Sequence, residues 1–284
     1  MYYDNIFALI GKTPLVKITL SHKEKNSTLY LKLEKNNLTG SIKDRYAKEY
    51  IDSYIRKKIS KPIIIPTSGN LGISFASLSS VNNIKCIVVM PEDASNERKK
   101  LIRLFGAELI ETNANDGMRG SVDVAKKMAQ EKEYLYVDQF SDYLNVNTHF
   151  QNTAKEIELD LNGEPDYIIA GMGSSGTISG IAKYYKNKKT KVIAVVPKEN
   201  EKIPGIGPGF LPEICNLNNL DEIVEVSEER VNKYIPYIIR KTGILIGKSG
   251  CAAIIVANDI AIKENNKKIV VIVPDSYERY LSID

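Results

Sequence analysis

Apolar and polar residues alternate through Leu29-Tyr30-Leu31-Lys32-Leu33, a period of two that predicts a strand. Further apolar runs at 62–65, 86–90, 108–110 and 134–137 are separated by stretches near 71–81, 96–105 and 117–131 that read as helices. A second series follows, with strands at 167–170, 192–196, 223–226 and 269–273 and helices near 147–159, 177–185, 228–241 and 251–263. Short, wholly apolar strands alternating with helices imply parallel strands covered on both faces. The chain therefore reads as two α/β units, with ligands expected between them at the carboxyl ends of strands.

The connections sharpen this outline. Gly11 and Pro14 mark a turn before a strand that begins at Leu15–Ile18, and Asn36, Asn37 and Gly40 end the strand at 29–33. A helix over 44–58 follows, with Ala47, Tyr50, Ile51, Tyr54 and Ile55 on one face. Residues 198–220, rich in Pro, Gly and Asn, form the longest irregular connection and a candidate lid.

A net charge of +4 spread over 284 residues is too mild and too scattered to indicate a nucleic-acid partner. Cys86, Cys215 and Cys251 are far apart and in no metal-ligand spacing, so neither a disulfide framework nor a zinc site is indicated, and a reducing cytoplasm fits. His22 and His149 are the two histidines, which argues against a Ser-His-Asp triad, and both are expected at the surface. The longest apolar run, Cys251–Ala257, falls far short of the ~18 residues of a membrane span and reads as a buried helix. The amino terminus lacks a basic region followed by an apolar core, so no secretory signal is expected.

Candidate chemistry gathers at strand ends. Lys43 opens a helix after a turn in which Ser41 can cap and Asp44 supplies first-turn acidity. Helix N-terminal N–H groups and neighbouring Arg45 are expected to disfavour its ammonium, and a neutral lysine amine can form a Schiff base. Thr67-Ser68-Gly69-Asn70 follows a strand and opens a helix, so its N–H groups and hydroxyls suit a carboxylate, though a plain helix cap would look the same. Gly171-Met172-Gly173-Ser174-Ser175-Gly176-Thr177 is also a strand-to-helix turn, with glycines for close approach and three hydroxyls for a terminal phosphate. Its Gly-x-Gly-x-x-Gly spacing, with Glu199 downstream, also fits a dinucleotide. Gln139 sits just past a strand, where its amide can meet a ligand, and Ser249 precedes an apolar helix that it could cap.

The run Lys-Leu-Glu-x-Asn-Asn-x-x-Gly-Ser-x-Lys-Asp-Arg, from Lys32 to Arg45, resembles the lysine segment of the cysteine synthase (O-acetylserine sulfhydrylase) family, especially its B-type branch. Five more stretches resemble the family in order: Ile10–Leu15, Thr67–Asn70, Gly171–Thr177, Gly247–Ala253 and Pro274–Ser282. The lid segment Pro204–Pro212 is similar to the A-type branch. The resemblance implies pyridoxal 5'-phosphate on two three-layer α/β domains of fold type II, like the tryptophan synthase β chain, with mostly parallel sheets. A smaller mobile domain, 36–145, would hold the substrate carboxylate, and 1–35 with 146–284 would hold the cofactor phosphate.

By the same resemblance Lys43 carries the cofactor, and Gly173, Ser174, Ser175, Gly176 and Thr177 cup its phosphate. Asn70 meets the phenolic oxygen and Ser249 the pyridine nitrogen. Thr67, Ser68, Gly69, Asn70, Gln139 and Gly207 face the substrate. The implied reaction is β-replacement, O-acetyl-L-serine plus sulfide giving L-cysteine through an aminoacrylate. Cystathionine β-synthase-like, cysteine-lyase-like and dehydratase activities remain open on the same motifs, as does a non-catalytic paralogue. The implied partners are a second copy in a homodimer and serine acetyltransferase. Three departures stand out: Leu71 in place of threonine, expected to remove a polar contact at the substrate, Cys251 in place of glycine, and Tyr277 in place of glycine. No arginine lies between 199 and 229, where phosphoserine-using relatives place one, which favours acetate as leaving group.

Overall fold

A computed structural model describes residues 2–18 and 26–282, in which the apolar runs become strands of two separate sheets. His22 lies outside the described residues. Strands β1 (Leu15–Ile18) and β2 (Thr28–Leu33) pair antiparallel, with Leu15 opposite Lys32. Helix α1 (Lys43–Arg56) then leads into β3 (Ile63–Pro66), α2 (Asn70–Val81), β4 (Cys86–Pro91) and α3 (Asn96–Leu104). With β5 (Glu108–Thr112), α4 (Gly117–Glu131) and β6 (Leu135–Tyr136), these complete a parallel sheet of order β5-β4-β3-β6.

Helices α5 (Tyr143–Thr148) and α6 (Ala154–Leu161) carry the chain back to β7 (Tyr167–Gly171), α7 (Gly176–Tyr185), β8 (Lys191–Pro197) and β9 (Glu222–Val226). Helices α8 (Glu228–Thr242) and α9 (Lys248–Lys263) precede β10 (Lys268–Val273). β10 inserts between β2 and β7, giving a second sheet of order β1-β2-β10-β7-β8-β9 that is parallel except for β1.

Burial explains why the interior strands are apolar throughout. Along β10, Val271 and Val273 face one core with Ala252, Ala253 and Ile238 of the two helices on that side. Val270 and Ile272 face the other, with Ile157, Ile178 and Ile181 of α6 and α7. The smaller sheet is built alike: Ile63 and Ile65 pack with Tyr46, Phe75 and Ile102 of α1, α2 and α3, whereas Ile64, Ile87 and Val89 pack with Ala125 of α4. A side chain on either face of such a strand meets a helix, so a polar residue there would be buried without water. The edge strands β5 and β9 keep exposed Glu108, Glu111, Glu222 and Glu225.

Two element boundaries depart from the periodicity. The single helix expected over 147–159 is α5 and α6 joined by a π-helical turn, His149–Thr153. Helix α7 passes close by: a Cβ on Gly180 would lie 2.5 Å from the Val146 carbonyl and 2.7 Å from His149 Cβ. Helix α9 starts at Lys248 with Gly247 as its cap, so Ser249 sits inside the first turn and is not a cap.

The topology marks where a ligand belongs. In the small sheet the strand order reverses at β3, which has β4 on one side and β6 on the other; in the large sheet it reverses at β7, between β8 and β10. Open α/β sheets bind ligands at such reversals, outside the carboxyl ends of the strands.

Candidate active site

The carboxyl ends at these reversals carry the expected residues. Thr67–Asn70 follow β3, Gln139 follows β6, Gly171–Thr177 follow β7, and Pro274 and Asp275 follow β10. Lys43 joins them because Ile42 N–H donates to the Pro274 carbonyl at 2.9 Å, tying the start of α1 to the end of β10. The Lys43 amine then reaches across and donates to Ser174 Oγ at 3.2 Å.

Burial in the cleft lowers the Lys43 amine from 10.5 to about 8, against the nearby Asp275 carboxylate, which raises it. The easily deprotonated amine expected from sequence is present, but its cause differs. Arg45 points away, donating to Glu34 at 2.6 and 2.8 Å and to Glu156 at 2.7 Å from each of two nitrogens. Ser41 takes part as its Oγ accepts from the Lys43 N–H at 3.3 Å, while Ile42 occupies the cap position.

The Gly171–Thr177 turn is packed too closely for side chains at its glycines. A Cβ on Gly173 would come within 2.4 Å of the Gly205 carbonyl, and one on Gly176 within 2.1 Å of Asn145 Oδ1. Ser175 takes a left-handed backbone with φ of 69°, uncommon for a residue with a Cβ, and its buried hydroxyl has no partner. Thr177 Oγ1 lies 3.2 Å from His149 Nε2, and His149 Nδ1 lies 2.9 Å from Thr153 Oγ1. His149 is thus buried behind the turn, at 2 % exposure, rather than at the surface. Burial, with Arg45 and Lys43 nearby, holds its imidazole well below the ordinary pKa, so it is neutral.

Thr67 Oγ1 accepts from the Gly69 N–H at 3.1 Å, shaping the turn into α2, and Ser68 is exposed. Asn70 donates Nδ2 to Asp275 Oδ2 at 2.7 Å, and its Oδ1 is buried without a partner. Gln139 is buried, with Nε2 3.5 Å from the Pro66 carbonyl. Ser249 is buried beside the turn after β7, its Oγ 3.6 Å from where a Cβ on Gly205 would stand. Gly207 has φ of 67°, donates its N–H to the Met172 carbonyl at 3.0 Å, and leaves no room for a Cβ, which would meet Pro197 at 2.5 Å. The candidate lid is anchored by buried Ile203, Ile206 and Ile214, while Phe210 packs edge-on against Phe140, 4.9 Å between ring centres.

The three departures from the family pattern all pack against cores. Leu71 is almost fully buried and packs in the core of the small sheet. Cys251 faces α8, Sγ 3.8 Å from the Val231 carbonyl, and burial pushes its thiol up to about 12. Tyr277 packs against the core of the large sheet.

Three participants are not singled out by the sequence, although Asp275 lies within Pro274–Ser282. Asn145 bridges the Gln139 carbonyl at 3.0 Å and Ser174 Oγ at 3.2 Å. Asp275 meets Asn70 from 205 positions away in the chain. Arg98 lies beneath Gly69, where any Cβ would come within 2.9 Å of its guanidinium, and donates to the Ser68 carbonyl at 3.3 Å.

Comparison with known proteins agrees with this arrangement. Residues 6–275 match the family described as pyridoxal-phosphate dependent enzyme. Cysteine synthase B of Campylobacter jejuni is 38% identical over 299 residues, covering 99% of this chain and 98% of that one. The cysteine synthase structure of Entamoeba histolytica superposes with a TM-score of 0.94 at 34% identity, covering 100% of this chain and 90% of that one. An O-acetylserine-dependent cystathionine β-synthase from Helicobacter pylori does so with a TM-score of 0.94 at 31% identity, covering 100% and 99%. The chain belongs to the pyridoxal-phosphate dependent enzymes and, within them, to the cysteine synthase family.

The residues present fit that cofactor. A desolvated amine stands 3.2 Å from a hydroxyl-rich turn, that turn excludes any side chain at Gly173 and Gly176, and a buried Ser175 hydroxyl awaits a partner. Among the described residues no helix is long and apolar enough to cross a membrane.

Proposed function

We propose that the chain makes L-cysteine from O-acetyl-L-serine and sulfide: the Cβ–O bond to acetate breaks and a Cβ–S bond forms. The approach of the Lys43 amine to the Gly171–Thr177 turn carries this reading. Bound pyridoxal phosphate supplies an aldehyde and an electron sink for β-elimination and replacement. Lys43 would anchor it, and its amine, placed at the turn, would remove the Cα proton of the substrate and later return it. Gly173, Ser174, Ser175, Gly176 and Thr177 hold the phosphate, Asn70 the phenolic oxygen, and Ser249 the pyridine nitrogen. A serine hydroxyl there does not force that nitrogen to stay protonated, which suits β-replacement better than transamination. Thr67, Ser68, Gly69, Asn70, Gln139 and Gly207 orient the substrate and its carboxylate.

The absence of arginine from 199–229 supports a neutral leaving group. Leu71 and Cys251, which would have suggested a non-catalytic paralogue, sit in cores and leave the cleft intact. Residues 36–145 form the smaller, mobile domain that closes over the substrate, and 1–35 with 146–284 form the larger one. A homodimer, binding by serine acetyltransferase and a cytoplasmic location complete the reading; the family resemblance supports the first two, and three free cysteines the third.

The test is product analysis. The protein loaded with pyridoxal phosphate and given O-acetylserine and sulfide yields cysteine and acetate, and Lys43→Ala yields neither. No cysteine from the loaded parent protein overturns the reading. The Helicobacter pylori relative favours a second reading, in which homocysteine replaces sulfide and cystathionine forms. A preference for homocysteine when both nucleophiles are offered selects it, and sulfide release from cysteine alone selects a lyase.

A further inference from the structure

Asp275 is a buried carboxylate that the chemistry above leaves without a role. It is 2 % exposed at the end of β10. Its Oδ2 accepts from Asn70 Nδ2 at 2.7 Å and from the Tyr280 hydroxyl at 2.5 Å, with Arg98 Nη2 4.0 Å away. Its Oδ1 has no donor and is pressed against Gly247, where a Cβ would fall 1.9 Å from it. Arg98 lies over the Tyr280 ring at 4.8 Å, so residues of α3 and of the segment after β10 enclose the carboxylate together.

An asparagine amide can be turned either way, and its neighbours decide which. Carboxylate oxygens accept only. With Oδ1 turned toward Asp275, two acceptors would stand 2.7 Å apart and the buried carboxylate would lose a donor, so the amide presents nitrogen there and Oδ1 faces elsewhere, without a partner. Nδ2 carries two hydrogens, and Asp275 takes one. We infer that Asp275 is a positioning residue that fixes the direction of the Asn70 amide and so reserves its second N–H for the phenolic oxygen of the cofactor. This rests on the placement of Asn70 at that oxygen. A lone contact between the two sheets would explain one hydrogen bond; it would not explain why the acceptor is a carboxylate that leaves its second oxygen orphaned.

The experiment exchanges the two side chains. Asn70→Asp/Asp275→Asn keeps one amide, one carboxylate and the bond between them, but turns an acceptor toward the cofactor. Asp275→Asn, Asn70→Ala and the exchanged double variant are titrated with pyridoxal phosphate, the visible band is recorded, and unfolding of each cofactor-free protein is measured. Asp275→Asn is expected to weaken cofactor binding about 10-fold and to shift the band. The exchange should restore stability toward that of the parent while leaving the band shifted and binding weak. Recovery of both stability and the parental band by the exchange overturns the inference and leaves Asp275 as a structural tie. Parental affinity and band in Asp275→Asn, with Asn70→Ala altered, also overturns it alone. If Asn70→Ala changes neither affinity nor band, the placement of Asn70 is what fails, and the inference falls with it.

Discussion

Two buried charge networks flank Lys43, and they are finished to different degrees. The network on one side ties β2, α1 and α6 together. Arg45 is held by four nitrogen–oxygen contacts to Glu34 and Glu156, and Lys32, 0 % exposed, donates to the Thr13 carbonyl at 2.7 Å and Asp160 at 2.8 Å. Asn37 and Thr13 complete Glu34, and no side chain of this network has an unpartnered buried atom among the described residues. Burial alone would raise the Glu34 carboxyl, yet Arg45 brings it below its ordinary value. On the other side, Asn70 Oδ1, Arg98 Nε and Asp275 Oδ1 are all buried without partners. A closed network secures the backbone that delivers Lys43; the open one keeps bonding capacity beside the site where a ligand arrives.

The widest separation between the networks comes from their midpoint. Lys43→Ala is expected to lose about 10³-fold or more in turnover while remaining folded, measured by cysteine formation and circular dichroism. Next, Arg45→Met breaks the closed network and leaves the buried Glu34 without its cation, while Glu156 keeps Lys32 at 3.0 Å, costing about 3–5 kcal/mol in urea unfolding of the cofactor-free protein. Its folded fraction should still show the parental visible band, and loss of the band at full stability would refute the division of labour. Gly176→Ala drives a Cβ to within 2.1 Å of Asn145 Oδ1 and is expected to weaken cofactor binding roughly 10- to 100-fold, by titration.

The smallest effect is in pH. Because the folded-state pKa of Lys43 is depressed, its burial penalty is present in full below about 8 and is relieved as pH rises from there toward 10.5. Cofactor-free Lys43→Met should therefore be more stable than the parent below pH 8, with the advantage shrinking over that window; a constant difference would assign the lowered pKa to something other than burial.

Much of this was legible in the chain because interior parallel strands announce themselves. Cys86–Pro91 is buried at every residue, so its apolar run needs no partner to be recognised. The strand-end turns were legible too, since glycine, hydroxyl and asparagine residues cluster there for local reasons. What escaped was set by contacts distant in sequence. Arg45 is two residues from Lys43 in the chain, yet α1 turns it toward Glu34 and Glu156, so the depressed amine owes its state to burial, which no short window displays. His149 looked like any isolated polar residue until the π turn and Gly180 enclosed it. Leu71 and Cys251 stood out only as departures from a motif; their helices turn them into cores, a burial no motif displays.

The position of β10 has a consequence for how the protein is made. It lies between β2 and β7, with Lys268 beside Thr28 and Ile269 beside both Leu29 and Tyr167, and it ends in the residues that dock Ile42 and Asn70. On the ribosome, β3 through β6 can assemble as soon as they emerge, since their partners are near in the chain. β2 can pair with β1 at once, but its other neighbour is a strand some 240 residues later, and the core that covers its Leu29 and Leu31 includes residues of that strand. Synthesis thus allows the sheet of β3 to β6 to form before the six-stranded sheet receives its central strand, and chaperone engagement should centre on the segment from 28 to 33.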